Sequence, residues 1–388
     1  MRNCYKKIIF VFNFITILFF LKIPAYAKDF LLIPIAIQIS SKISDGKYSI
    51  EEIAEILHKN NFKVGIITDR DLLKWEYGIW PLRNVLKKVV KFNSILDFGP
   101  KRYLGEIQKV NSLYPDLILI PGVESAPFYY WEGSLFKNNL TLVGWHKHII
   151  TIGLENPKDY YNLPIVGNDK ALRKKFKTKD ILKFWPILIF PFLFYIKSKF
   201  LKIFLTIFAL LFIINNYPFV DLLFTPYNKN LYLFVYQNFI DYANKKGAIT
   251  VWAHPEAENI QKIGKVLVKT NEYIDLLFLI KNYTGFAIFY EGYNKVGKIG
   301  GLWDNLIKEY LEKKRETPVW AFATLGFDYV GNLDEYLKEM KNMVWVEKLE
   351  KGAILEALRK GRFYSVKGRG SQNFILEDFF IEDKIGKK

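Results

Sequence analysis

From residue 28 onward the chain alternates between compact apolar runs and segments with apolar residues every three or four positions. "FLLIPIAIQIS" and "KVGIITD" are apolar runs bounded by polar residues, the pattern of buried strands. Between them, "SIEEIAEILHKNNF" has the spacing of an amphipathic helix. "WPLRNVLKKVVKFNSIL" predicts a second helix. Further strand-like runs are "DLILIPGVES", "TLVGWHKHIITIGL", "GAITVWAHPEA", "YIDLLFLIKNYTGFAIFYE" and "TPVWAFATLGFDYV", with "LWDNLIKEYLEKK" as a helix between the last two. Strands separated by helices predict an α/β class protein, a parallel barrel of seven strands. Such barrels gather their reactive groups at the C-terminal ends of the strands. Here those ends carry Asp69, Glu124, His148, His254 and Asp328.

One stretch breaks the alternation. "ILKFWPILIFPFLFYIKSKFLKIFLTIFALLFIINNYPF" is apolar almost throughout, and its second piece, Ile203 to Val220, approaches the roughly 20 residues that cross a bilayer. Its first piece, Phe184 to Ile196, is short and contains Pro186 and Pro191. If the flanking runs share one barrel, both lie on the same side of any membrane, so the segment crosses twice or not at all. Two crossings put "KSKFLK" in the cytoplasm, in keeping with the positive-inside rule, but leave Arg173, Lys174, Lys175, Lys177 and Lys179 outside, against it. A hairpin lying in the plane of the headgroups is the competing arrangement. A buried extension of the core is the third. In each case the boundaries are a first barrel part at 28–160, a hydrophobic insertion at 173–225 and a second barrel part at 226–388.

The first residues carry a different signal. Arg2, Lys6 and Lys7 precede an apolar run from Ile8 to Leu21, and Ala25-Tyr26-Ala27 follows with small residues where a signal peptidase cuts. Residues 1–27 are expected to be an export signal or an uncleaved anchor. Either places the remainder outside the cytoplasm, and the hydrophobic insertion is what would associate it with membrane lipid. The single Cys4 lies before this run, which excludes an internal disulfide, a thiolate metal site and a cysteine nucleophile within the domain.

Composition adds bounds. Of 388 residues, 51% are apolar, enough for a sizeable core. A formal charge of +17 raises the question of nucleic acid, but the lysines are scattered and no recognition helix or zinc-finger spacing is present, so no specific nucleic-acid binding is expected. There is no glycine-rich phosphate loop to hold a nucleotide. Histidine is scarce, with four in the chain, and two of them fall in "GWHKHIITIGL".

"SSKISDGKYSIEEIAEILHKNNFKVGIITDRD" resembles the opening of the polymerase and histidinol phosphatase (PHP) superfamily, which runs His-x-His-Thr, Ser-Asp-Gly, a helix, then a strand ending Thr-Asp-His. "PGVES" is similar to its Pro-Gly-x-Glu strand end, "HIITIGL" to its histidine-bearing fourth strand and "WAHPE" to its His-Pro strand end. "GLWDNLIKEYL" and "ILEALRKGRFYSVKG" resemble its closing segments. The resemblance spans roughly residues 30–155 and 235–370. It implies a distorted seven-stranded (β/α) barrel of PHP type, here with an inserted hydrophobic hairpin. It also implies up to three divalent metals that activate water to hydrolyse phosphate esters.

Carried over by position, the implied metal ligands are Glu124, His148 and His254, with Asp45 from the Ser-Asp-Gly segment. Asp328 matches one of two positions at the last strand end. His146 lies two residues from His148, and the choice between them stays open. Gln38 and Ser40 stand where the first two histidines belong, and Arg70 replaces the histidine of Thr-Asp-His beside Asp69. Neutral Gln and Ser are poor substitutes for imidazole, and a permanent cation repels a metal. The implied cofactor is therefore one divalent ion, zinc or manganese, rather than three. Arg70, with Asp69 beside it, is the candidate grip for a phosphorylated or anionic small molecule. Two functions follow: a membrane-tethered metal-dependent phosphoesterase with a reduced site, or an inactive barrel that binds an anionic ligand.

Overall fold

The computed structural model describes residues 30–368 together with Ile375 and Leu376. The expected export segment and Cys4 lie outside the described residues. The central sheet has nine strands: β1 (Leu31–Ile39), β2 (Val64–Ile67), β3 (Ile118–Ser125), β4 (Ile149–Ile152), β5 (Ile249–Trp252), β6 (Gly285–Phe289), β7 (Trp320–Ala323), β8 (Met340–Val346) and β9 (Phe363–Lys367). Their order is β7-β6-β5-β4-β3-β2-β1-β8-β9, so the first seven neighbour one another in sequence order. The count exceeds the expected seven because β8 and β9 pair antiparallel beside β1.

The sheet curls until its ends nearly meet. At one end, the chain after β7 hydrogen-bonds to β1: the Leu325 N–H donates to Ile37 O at 2.8 Å and the Phe327 N–H to Gln38 O at 3.1 Å. Next to this, at the last residue of β7, a side chain bridges the gap. Asn342 of β8 accepts from the Ala323 N–H at 2.9 Å and donates to Ala323 O at 2.7 Å. Buried backbone groups need partners, and here two seams supply them without a continuous ladder.

Alternation along the strands splits the core into two clusters. Ile35, Ile37, Val64, Ile66, Ile150 and Val251 fill the barrel interior, closed at its base by Ile354 and Leu358 of the helix Lys351–Arg359. Ala36, Leu119, Val123 and Trp252 point outward under the surrounding helices. The helix Ile50–Lys59 begins with a capping box between Ser49 and Glu52 and buries Ile53, Ala54 and Leu57.

β4 departs from the expected parallel arrangement, running antiparallel to both β3 and β5. Its N-terminal end therefore lies at the same rim as the C-terminal ends of its neighbours. His146 and His148, expected within a strand, precede it. The segment expected as a helix from Trp80 instead supplies the turn and second strand of a hairpin, Lys74–Gly78 against Lys87–Lys91; only its last residues are helical, in the short helix Ile95–Phe98, and Pro100–Leu113 follows. The run beginning "YIDLLFLI" is a helix, Ile274–Leu279, and β6 starts later. In both places apolar content alone did not distinguish strand from helix.

Between β4 and β5 the apolar stretch forms two packed limbs. Thr178–Leu188 is a 3₁₀ segment continued by short turns to Tyr195, and Lys199–Asn216 is an α-helix of 18 residues. Trp185 meets Phe212 with ring centroids 5.5 Å apart. Among the described residues, the second limb is the one helix long and apolar enough to cross a bilayer, and almost none of it is buried. It ends at Asn216, four residues before the expected Val220.

Candidate metal and anion site

The barrel rim collects four functional side chains. Glu124 shares the inward parity of Ile120 on β3, and His148 that of Ile150 and Ile152 on β4. Arg70 pairs with Glu124 across an isolated parallel bridge that extends the β2–β3 ladder. His254 follows β5 with φ of 28°, which breaks the strand alternation just past inward-facing Ala253. At β1 a bulge between Ile37 and Ile39, with Gln38 at φ 69°, re-aims the Gln38 side chain. Its Nε2 donates to Glu124 Oε2 at 3.0 Å.

Glu124, His148 and His254 offer ligand atoms within 4.8 Å of one another, the group among the described residues suited to a metal ion. His148 Nδ1 lies 2.7 Å from Glu124 Oε1 and 3.2 Å from His254 Nε2. Arg70 enters the same space, with Nη1 2.6 Å from Glu124 Oε1 and 2.9 Å from His148 Nδ1. Its Nε holds Asp45 Oδ2 at 2.9 Å.

Burial opposes ionisation of Glu124, but Arg70 and then His148 outweigh it and hold its carboxyl well below the usual range. Burial first, and Arg70 second, push His148 down to about 3. Its ring is thus neutral near pH 7, with a lone pair on one nitrogen. That nitrogen can ligate a metal or accept from Arg70, but not both. The donor chemistry, one carboxylate and two neutral-capable imidazoles, fits a divalent ion. In the arrangement described, the guanidinium stands among those donors.

The remaining expected residues fall around this cluster. Asp45 reaches it through Arg70. Asp328 lies half-buried beyond β7, accepts the Val330 N–H at 3.0 Å, and is not in the donor group. Burial foremost raises its carboxyl above the usual range. Asp69 is fully buried and accepts four hydrogen bonds from the N–H and hydroxyl groups of Ser41 and Ser44, from 2.7 to 3.1 Å. Its oxygens face the Ser-Asp-Gly loop, and burial raises its carboxyl to about 6. His146 stays outside the donors, its ring centroid 5.8 Å from that of His148, so His148 is the member of the pair that joins.

Two supporting residues escaped sequence reasoning. Asp71 is buried, accepts from Ser125 Oγ at 2.5 Å and from the Leu72 N–H at 2.6 Å, and so ties the end of β3 beside Glu124. The acidic pair around Arg70 in "TDRD" was its only signal. Tyr273 places its hydroxyl 3.4 Å from His254 Nδ1 and donates to Ala253 O. Nothing local in the sequence marks that contact.

No protein-family model matches the chain, and no curated protein matches it. Solved structures similar to the chain include the following two. One, from Bacteroides vulgatus ATCC 8482, is a two-domain protein described as containing a predicted PHP-like metal-dependent phosphoesterase. It has 12% identity and a TM-score of 0.38 over 87% of this chain, which spans 65% of that protein's length. The other, from Bifidobacterium adolescentis ATCC 15703, is described as a candidate metal-dependent phosphoesterase, at 10% identity and a TM-score of 0.32. The match covers 76% of this chain and 87% of that one.

Proposed function

We propose that this protein is an exported, membrane-tethered, metal-dependent hydrolase of the phosphoesterase type, with a site reduced to one divalent ion. The observation that carries the reading is the convergence of Glu124, His148 and His254 within 4.8 Å at the barrel rim. Bound there, a zinc or manganese ion would supply a Lewis acid and lower the pKa of its water. The chain's own residues do the rest. Glu124 stays ionised, His148 stays neutral, and Gln38 fixes the orientation of the Glu124 carboxylate. Arg70, with Asp45 on its Nε, presents a planar cation suited to a phosphate ester. Tyr273 limits rotation of the His254 ring.

Membrane attachment rests on the exposed apolar helix Lys199–Asn216, whose 18 residues span about 27 Å. Exposed Phe200, Ile203, Ile207 and Leu210 are hard to reconcile with a surface left to water.

A second reading has its own observation. With Nη1 at 2.6 Å from Glu124 Oε1, Arg70 neutralises the carboxylate as a metal would. The barrel is then a binding module in which Arg70 receives an anionic ligand without turnover.

Metal content of the detergent-solubilised protein separates the two. About one zinc or manganese per chain, lost in His254→Ala, supports the hydrolase. Absence of metal in both proteins after addition of divalent ions removes it and leaves the binding module.

A further inference from the structure

A cavity of about 570 Å³ opens where the C-terminal end of the Lys199–Asn216 helix meets the turn of the Lys74–Gly78/Lys87–Lys91 hairpin. It shares no residue with the Glu124 cluster. Arg83, Lys87, Arg173 and Lys183 line it, facing Asp169 and Asp221.

The two lysines already have partners. Lys183 binds Asp221 at 2.6 Å and Asp180 at 2.8 Å, and Lys87 binds Glu76 at 3.1 Å. Arg83 and Arg173 have no ion pair among the described residues. Arg83 is held in place: its guanidinium lies 3.8 Å over the Tyr227 ring, and the Tyr227 hydroxyl accepts the Gly78 N–H at 2.7 Å. The Arg83 Nε is buried without a hydrogen-bond partner. Buried donors are seldom left unpaired, so a fixed guanidinium facing a cavity with its Nε unmatched points to an acceptor from outside the chain.

Three features oppose an anion, and each is weakened. Asp221 lines the cavity, but Lys183 at 2.6 Å and Lys179 at 3.3 Å already pair with it. Asp169 lies in the cavity, and burial, then Glu76, raises its carboxyl above the usual range. The helix C-terminus presents carbonyls, but Asn84 Nδ2 donates to Asn215 O at 2.6 Å and the Asn84 N–H to Asn215 Oδ1 at 2.9 Å. Those bonds also fix the hairpin to the helix end, so the arginine-bearing turn and the apolar helix form one unit.

We infer that this cavity binds a phosphate group through Arg83 and Arg173, and that the group comes from an anionic phospholipid where the apolar helix meets a bilayer. The lipid source rests on the proposed membrane attachment, because that places the helix end and the cavity at headgroup depth. The phosphate chemistry does not depend on it. Guanidinium groups match phosphate oxygens in pairs, which suits a diester headgroup or a free phosphate ester alike.

The test uses full-length protein in a non-ionic detergent, titrated with inorganic phosphate, and the same protein mixed with vesicles of phosphatidylcholine with or without phosphatidylglycerol. Arg83→Gln/Arg173→Gln is compared with Lys262→Gln/Lys265→Gln, which removes equal charge from an exposed hairpin elsewhere. The expected result is about tenfold tighter binding to the anionic vesicles, lost in the arginine variant and kept in the lysine variant. Phosphate binding lost in the arginine variant, without vesicle binding by any protein, keeps the site with a soluble ligand and overturns membrane attachment. Equal behaviour of all three proteins overturns the site, and membrane attachment then stands or falls on whether the vesicles are bound at all. Should the double variant fail to fold, Arg173→Gln alone, on an exposed residue, gives the same comparison.

Discussion

Arg70 Nη1 lies 2.6 Å from Glu124 Oε1, inside the set of donors that Glu124 forms with His148 and His254. One buried cation therefore competes directly with any metal for the same carboxylate. Burying a carboxylate without a partner costs several kcal/mol, so something positive must stand beside Glu124 at all times. Guanidinium and metal ion are alternative answers to that requirement.

Arg70→Met tests the competition. Without metal, the variant leaves Glu124 buried beside neutral groups and is expected to lose about 3–5 kcal/mol of stability. With added zinc it should regain much of that loss, and calorimetry should find zinc binding at least about tenfold tighter than in the parent, a difference of 1.4 kcal/mol. Equal zinc affinity in parent and variant removes the idea that Arg70 holds the metal position.

Gln38 gives a smaller effect. Gln38→Ala removes the donor at 3.0 Å from Glu124 Oε2 and leaves that oxygen buried. Urea denaturation should show a loss of about 1–3 kcal/mol with little change in slope. A neutral result would mean that water or a rotated side chain replaces the amide.

The Asp69 clamp predicts a loop effect without a direct role at the donors. Asp69→Asn keeps the shape, but its amide cannot accept from all four groups of Ser41 and Ser44. Stability should fall by about 1–3 kcal/mol, with faster amide exchange at Ser41 and Ser44. Unchanged exchange there would count against the clamp.

Glu76 supplies a pH dependence away from the site. Burial opposes its ionisation, but Lys74 at 3.0 Å and Lys87 at 3.1 Å outweigh it and lower its carboxyl below the usual range. A group with a depressed folded-state pKa adds stability above its unfolded pKa, and that stability disappears as pH falls through the folded value. Glu76→Gln should therefore lower Tm at pH 7, and the gap from the parent should close on acidification below the usual glutamate range of about 4.3. A gap that persists in acid would assign the effect to packing.

The apolar helix makes a prediction about location. Ile203→Lys/Ile207→Lys changes two exposed residues, so the barrel should fold unchanged while the protein leaves the membrane fraction. Co-sedimentation with vesicles measures this, and retention equal to the parent's would remove the membrane reading of that helix.

Much of the sheet was legible in the sequence because burial leaves a direct trace: seven apolar runs, bounded by polar residues, each contain or adjoin a strand of the barrel. Glu124 and His254 were readable for the same reason, standing where such runs end. Periodicity does not record pairing direction, however. Only the tertiary structure reverses β4 and so brings His148, at the start of its strand, to the rim where its neighbours finish. Nor does a sequence record what faces a charge. Arg70 is separated from His148 by 78 residues, and its place among the candidate metal donors follows from the alignment of β2 and β3, not from local spacing. Local patterns determined which segments are buried; strand order and direction decided which charges meet, because electrostatics acts through distances that only the closed barrel sets.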